Sequence, residues 1–445
     1  MPVCPLDFRY GREDMKAIFE EENRLQRLLD VEAALASAHA EVGNIRQEHA
    51  DTLTRTASTK YVKLSRVREI DAQINHEMTA VIRALSEQSG ESGKFVHLGA
   101  TSNDILDTAA ALQLRDALDL LEQDVAALKR TFAAKARENR DTIMIGRTHG
   151  QYALPITFGL KMANYALEMH RHEERLKECR PRILVGKMSG AVGTGAGLGP
   201  KALDIQKTVM EHLKLGVEEG PTQIVDRDRY VELTAVLANI ATSIEKFATE
   251  VRNLQRGEIG EISEPFDDAV QVGSSTMAHK RNPVTAENIC GLARIVRGFM
   301  VPAMESAVLW HERDLTNSSA ERFTIPHSFV LLDDVITKTD RMFSELVLNR
   351  ERMEENLRRA GSVIMAESVM MALVSKGMGR QEAHELIRRC CMDAQKACED
   401  FRSHLMSNEK VSGMMTDSEL DSALDPRSYL GSAGETIDNV LRIVS

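Results

Sequence analysis

Residues 105–140 read ILDTAAALQLRDALDLLEQDVAALKRTFAAKARENR, with no proline or glycine to interrupt them. Such a run reads as one long helix. Four more long helical stretches follow, at about 154–179, 228–256, 285–310 and 325–348. Each spans on the order of 20–35 residues, roughly 30–50 Å at the usual helical rise. No convincing β-alternation interrupts this middle part. Helices this long bury their apolar faces only side by side, so the expected body is an elongated bundle of five helices. Residues 231–244 are apolar on more than one face, through Val231, Leu233, Val236, Leu237, Ile240 and Ile244. A helix of that kind needs cover on all sides, which points to oligomer formation through the bundle.

On either side the pattern shortens. Helix is expected over 14–42 and 65–89, and shorter helices punctuated by Gly377, Gly379, Pro426 and Gly431 follow residue 350. The expected fold is therefore all-α in three domains: 1–104, the central bundle 105–350, and 351–445. No internal repeat or low-complexity tract is present.

The chain has 445 residues and a formal net charge of −11, with its cations spread along the sequence. That argues against a nucleic-acid surface. A few local cations still suffice for an anionic substrate. Six cysteines include no CxxC pair, and Cys390 and Cys391 are adjacent. Reduced cysteines in a cytosolic protein are expected. No basic-then-apolar leader and no apolar run of bilayer length is seen, so a cytoplasmic protein without membrane contact is expected.

If helices form the body, chemistry belongs to their connections. Gly273-Ser274-Ser275-Thr276-Met277-Ala278-His279-Lys280-Arg281-Asn282-Pro283 is small, polar and basic. Pro283 is placed to open the next helix. The run suits a plain turn, and equally a loop that lays a hydroxyl and an ammonium over a ligand. Arg147-Thr148-His149-Gly150 joins two long stretches, and His149 there is either a capped loop histidine or a group that reaches a ligand. Asn75-His76-Glu77 lies within a helical stretch, where a lone histidine carries little weight. Thr101-Ser102-Asn103 caps a helix, a place that also holds carboxylates. Residues 189–200 are glycine-rich without GxGxxG or GK[ST] spacing, so a Rossmann or Walker site is rejected, while amides contacting a small anion stay open. Arg313, Ser318 and Arg322 combine two guanidinium groups with a hydroxyl, suitable for phosphate or for a solvated loop with ion pairs. His170 and His172 lack HExxH spacing, and no GxSxG elbow is present. No metal or cofactor is expected.

Several of these loops together resemble the fumarase/aspartase superfamily. Residues 273–283 resemble its signature loop, Gly-Ser-Ser-x-Met-Pro-x-Lys-x-Asn-Pro, with Ala278 in place of the usual proline. Residues 101–104 and 146–151 resemble its other two characteristic regions, and the likeness covers essentially the whole chain. It implies an anti β-elimination that releases fumarate, with Ser274 as base, Lys280 stabilising the developing carboxylate, His149 as general acid, Glu287 orienting it and His76 assisting. Thr101, Ser102 and Asn282 would hold the succinyl carboxylates. Arg9, Tyr10, Asn75, Glu77, Gln223, Arg313, Ser318 and Arg322 match the branch that holds a nucleotide and its phosphate, so a phosphorylated succinyl-nucleotide is the implied substrate. The usual Arg-His-Asp is Asn75-His76-Glu77 here. The resemblance also implies a homotetramer with sites shared between subunits. The rival readings are a 3-carboxymuconate cycloisomerase, another fumarate-releasing lyase, and a helical structural protein derived from the family.

Overall fold

The computed structural model describes the chain from Val3 to Ser445 except Asp268, Ala269, Val272, Ser274, Ser275, Ala278 and Cys398. The proline- and glycine-free stretch forms one helix of 37 residues, α1 (Ser102–Glu138). The other long helices are α2 (Phe158–Ile183), α3 (Asp228–Leu254), α4 (Val284–Gly298) and α5 (Thr316–Ser344). Helix makes up 69% of the chain, which settles an all-α class. No helix among the described residues is long and apolar enough to cross a membrane.

Four expectations need correction. The fourth stretch ends at Gly298 and is followed by a short helix, Met300–Glu305, instead of running to residue 310. The fifth begins at Thr316, so Ser318 and Arg322 sit on its first turns and not in a connecting loop; Pro326 lies inside it. A proline forfeits only its own bond to the carbonyl four residues back, so the turns before it still form. The middle part also contains a hairpin, β1 (Ile143–Thr148) with β2 (Gln151–Thr157), where only helix was expected. The expected 65–89 helix is two, Leu64–Ile74 and Glu77–Gln88, broken at Asn75, which turns left-handed at φ 53°.

Two compact units can be described. The first comprises Met1–Ala126, Arg171–Glu245 and Ile289–Lys338. Its core gathers Leu25, Leu28, Leu29, Ile105, Leu112 and Ile205. The second comprises Ala127–His170, Lys246–Asn288 and Thr339–Ser445. There Phe132 meets Tyr165, Phe247 and Phe343 edge-on at 4.9–5.5 Å between centroids. A separate apolar cluster from Val369 to Leu420 gives the C-terminal part a core of its own. Leu233, Leu237, Ile240 and Ile244 are all fully buried within the single chain. Val231 and Val236, the other two apolar residues of that stretch, are only partly buried.

Candidate active site

In the first unit the start of α1 is held from inside. Asp104 is fully buried and receives the Lys187 ammonium together with the amides of Thr101 (2.8 Å), Ser189 (2.9 Å) and Gly190 (3.0 Å). The glycine-rich stretch thus spends these two amides on an internal carboxylate. Its glycines allow close backbone passage: a Cβ on Gly197 would lie 2.9 Å from the Gly99 carbonyl, and one on Gly193 2.1 Å from that of Pro221.

One residue before Asp104, the Asn103 side-chain oxygen Oδ1 accepts from Arg313 Nη1 at 2.6 Å. The same nitrogen donates to Gln223 Oε1 at 3.0 Å, and the Gln223 amide donates to the Ala191 carbonyl. Burial lowers the proton affinity of the Arg313 guanidinium, yet an arginine stays charged. Its Nε is buried without a partner, an unspent donor. Asn103 Nδ2 donates to Asp107 at 3.2 Å, and Asp107 takes both terminal nitrogens of Arg227 at 2.8 and 2.9 Å. Burial alone would push the Asp107 carboxyl up; Arg227 outweighs it and holds the carboxyl low. Arg227 also grips Glu321 at 2.8 and 3.2 Å, and Asn317 donates to Glu321 at 2.9 Å.

Beside this network lies a cavity of about 320 Å³. Leu106, Ala110, Tyr230 and Ile325 form apolar wall, while Arg24, Glu77, Arg313, Ser318 and Arg322 supply polar groups. Glu77 accepts from Arg24 and, at 3.0 Å, from Arg322. Burial would raise the Glu77 carboxyl; Arg24 and then Arg322 outweigh it and hold it below its ordinary range. Three guanidinium groups and a hydroxyl on one cavity suit a phosphate.

The structure thus joins Arg313 to Gln223 and Glu77 to Arg322, and sets Ser318 on the same cavity. Arg9, Tyr10, Asn75, His76, Thr101 and Ser102 do not line it. Arg9 is exposed, and the Tyr10 ring lies 5.2 Å beneath the Lys338 ammonium. His76 caps the Glu77–Gln88 helix: its Nδ1 accepts the Thr79 amide at 3.2 Å, so a neutral ring carries its proton on the exposed side, at Nε2.

In the second unit, His149 and Gly150 both have positive φ, 54° and 74°, and form the two-residue turn of the hairpin. His149 is exposed at its tip. The strand behind it is anchored by Arg147, which grips buried Glu261 through two bonds of 2.7 and 2.9 Å. Asn356 donates to the same carboxylate at 2.8 Å.

The signature loop folds onto itself where it is described. Asn282 Nδ2 donates to the Gly273 carbonyl at 3.2 Å, and the Lys280 amide to that of Met277 at 3.0 Å. A Cβ on Gly273 would sit 2.1 Å from the Lys280 carbonyl, so only glycine fits. Glu264 accepts the amides of Thr285 (3.1 Å) and Ala286 (2.5 Å) and so fixes the start of α4, which Pro283 precedes. Lys280 and Glu287 are exposed, with Glu287 in the first turn of α4. Ser274 and Ala278 lie outside the described residues.

Sequence reasoning missed Arg24, Asp107, Arg227, Glu261 and Glu264 as parts of these sites. Their partners lie far off in sequence, 120 residues for Asp107 and Arg227. No local motif marks such a pair.

The family described as "Lyase" matches residues 7–298, and "Adenylosuccinate lyase C-terminus" matches 362–440. An adenylosuccinate lyase of Pyrococcus abyssi is 50% identical over 444 residues, covering 100% of this chain and 98% of that protein. A fumarate lyase structure from Mesorhizobium sp. BNC1 superposes with a TM-score of 0.90 at 34% identity, over 99% of this chain and 100% of that one. A 3-carboxy-cis,cis-muconate lactonizing enzyme from Pseudomonas putida gives 0.89 at 34% identity, over 99% and 98%. With its signature loop, its hairpin histidine and these relatives, the chain belongs to the adenylosuccinate lyase family of the fumarase/aspartase superfamily.

Proposed function

We propose that the protein is a carbon–nitrogen lyase that splits adenylosuccinate into AMP and fumarate, and splits the succinylated aminoimidazole-carboxamide ribotide in the same way. The carrying observation is the cavity where Arg24, Arg313 and Arg322 meet Ser318, a seat for the nucleotide phosphate. In the reaction Ser274 takes the proton from the carbon beside a succinyl carboxylate. The resulting electron pair forms the double bond of fumarate as the C–N bond breaks. His149 protonates the departing nitrogen, with His76 and Glu287 supporting it, and Lys280 stabilises the carboxylate charge that builds up. Thr101, Ser102 and Asn282 hold the carboxylates; Arg9, Tyr10, Asn75, Glu77 and Gln223 hold or orient the nucleotide.

We further read the active form as a cytoplasmic homotetramer with shared sites. Exposed Ile295, Val301, Met304, Val308, Trp310 and Phe323 support this, since a monomer rarely leaves so many large apolar groups in one stretch uncovered. The division into 1–104, 105–350 and 351–445 remains our reading of the domains, and the self-contained core between residues 369 and 420 supports its last boundary.

The muconate cycloisomerase reading draws support from the fold likeness at a TM-score of 0.89. The phosphate-suited cavity disfavours it. Ultraviolet absorbance with adenylosuccinate, beside a Ser274→Ala control, decides. Appearance of AMP and fumarate in the wild type alone supports the proposal. A tetrameric wild-type protein that leaves adenylosuccinate intact overturns it.

A further inference from the structure

The second unit carries a cavity of about 710 Å³ that the lyase reaction does not use. This is within the roughly 300–1,000 Å³ of small-molecule sites. Arg137, Arg140, Arg350, Arg358 and Arg427 line it, outnumbering the acids Glu138, Asp141 and Glu354. These arginines come from three places: the end of α1 and the residues just after it, the helix Arg350–Ala360, and the turn Pro426–Ser428. In a chain of net charge −11, so many arginines on one hollow stand apart from the general balance.

Their existing partners leave charge unspent. Arg140 is paired with Asp438 at 2.9 Å and Asp141 at 3.5 Å, Arg350 reaches the Asn139 side-chain oxygen at 3.3 Å, and Arg427 stands 3.9 Å from Glu354. Among the described residues, the Arg137 and Arg358 side chains have neither a hydrogen bond nor an ion pair. The floor is apolar, through Leu357, Met365 and Pro426. Ile143, the first residue of β1, also borders the cavity. His149 follows the far end of that six-residue strand, roughly 20 Å away. The cavity is therefore distinct from the hairpin tip.

We infer that this arginine-lined cavity is a second ligand site, for a compound bearing a triphosphate chain. Five guanidinium groups converging from three segments match several phosphates in a row. Either a nucleoside triphosphate or a free linear polyphosphate carries that chemistry. The apolar floor suits the base of the former.

Calorimetric titration of the full-length protein with tripolyphosphate, and separately with ATP, tests the site. The active-site cavity also suits phosphates, so the titrations are run in an Arg313→Ala background as well. Binding of at least one probe that survives Arg313→Ala and weakens tenfold or more in Arg137→Ala/Arg358→Ala supports the site. Equal affinity for the two probes identifies the phosphate chain alone as the ligand; tighter ATP binding adds the base. Arg137 and Arg358 are exposed and unpaired, so the double variant is expected to keep the wild-type melting temperature and lyase activity. No binding of either probe below millimolar concentration overturns the inference. So does binding abolished by Arg313→Ala, or binding that the double variant leaves unchanged.

Discussion

Replacing Arg227 with methionine should damage the first unit in a way that depends on pH. Arg227 and Asp107 are both about 5% exposed or less at their side chains, and the carboxylate spends most of its bonding on the guanidinium. Methionine fills similar space but leaves Asp107 with only the Val225 amide at 2.9 Å and the Asn103 side chain. Breaking a buried pair by removing one partner destabilises by about 3–5 kcal/mol. In the wild type Asp107 is held low, so its contribution is present above the unfolded value near 3.9 and fades as pH falls through the folded one. In the variant burial acts unopposed and the folded carboxyl moves above its unfolded value. Its penalty then grows as pH rises. The loss should be largest near pH 7.5 and clearly smaller near pH 4.5. Urea midpoints at both pH values, with the shared slope, measure it. Adding Asp107→Asn removes the stranded charge and should restore about 2 kcal/mol at pH 7.5. An equal loss at both pH values, or a double variant no better than the single one, would refute the reasoning. Asn103 links Asp107 to Arg313, so KM for adenylosuccinate should rise more than kcat falls.

Other substitutions probe other parts of the argument. His149→Gln should lower kcat by about 10²–10⁴ with little change in melting temperature, because the ring is exposed; a kcat within twofold of wild type would remove His149 as the acid. Gly99→Ala places a Cβ 2.5 Å from the Gly197 carbonyl at φ +71° and should destabilise by about 1–3 kcal/mol, read from urea midpoints. A cost under about 0.5 kcal/mol would show that the backbones part easily. His97 Nδ1 donates to the Glu32 carboxylate at 2.7 Å; burial opposes the charge on the ring, but Glu32 prevails and raises its proton affinity. This pair therefore stabilises fully below the ordinary histidine value near 6.5 and fades as pH rises through the folded one. Glu32→Gln should flatten that dependence in thermal melts between pH 6 and 8.

What was legible in the sequence follows from how far each signal reaches. A helix of 37 residues announces itself because every turn repeats the same local evidence. The hairpin did not, because β1 buries three consecutive residues and lacks alternation, and the end of β2 fell inside the helix expected over 154–179. Its one local sign was the His149-Gly150 pair, a composition that tolerates two positive φ angles. Pro326 misled in the opposite direction, delaying the expected start of α5 past the turns that carry Ser318 and Arg322. Arg313, Ser318 and Arg322 were found by residue type, since phosphate chemistry restricts the choice of side chain. Arg24 was not found, because only the fold brings it to Glu77, 53 residues away.

The carboxylates that were missed share a physical task. Asp104 gathers Lys187 and the amides of the glycine-rich stretch, Glu261 grips the strand behind His149, and Glu264 fixes the start of α4 just past the signature loop. Each is buried; Asp104 and Glu264 take backbone amides within or next to stretches rich in glycine and serine, while Glu261 takes the Arg147 guanidinium on β1. Loops rich in glycine, serine and asparagine cannot be positioned by hydrophobic burial, because they carry too few apolar atoms. A buried anion positions them instead, since it takes several N–H groups at fixed angles and loses much if any is withdrawn. That division explains why the exposed residues of the site look like chemistry in the sequence while the groups holding them look like ordinary helix and loop acids. It also gives Asp104 two roles: it takes the Ser189 and Gly190 amides of the glycine-rich loop, and it sets the start of α1, from which Asn103 reaches Arg313.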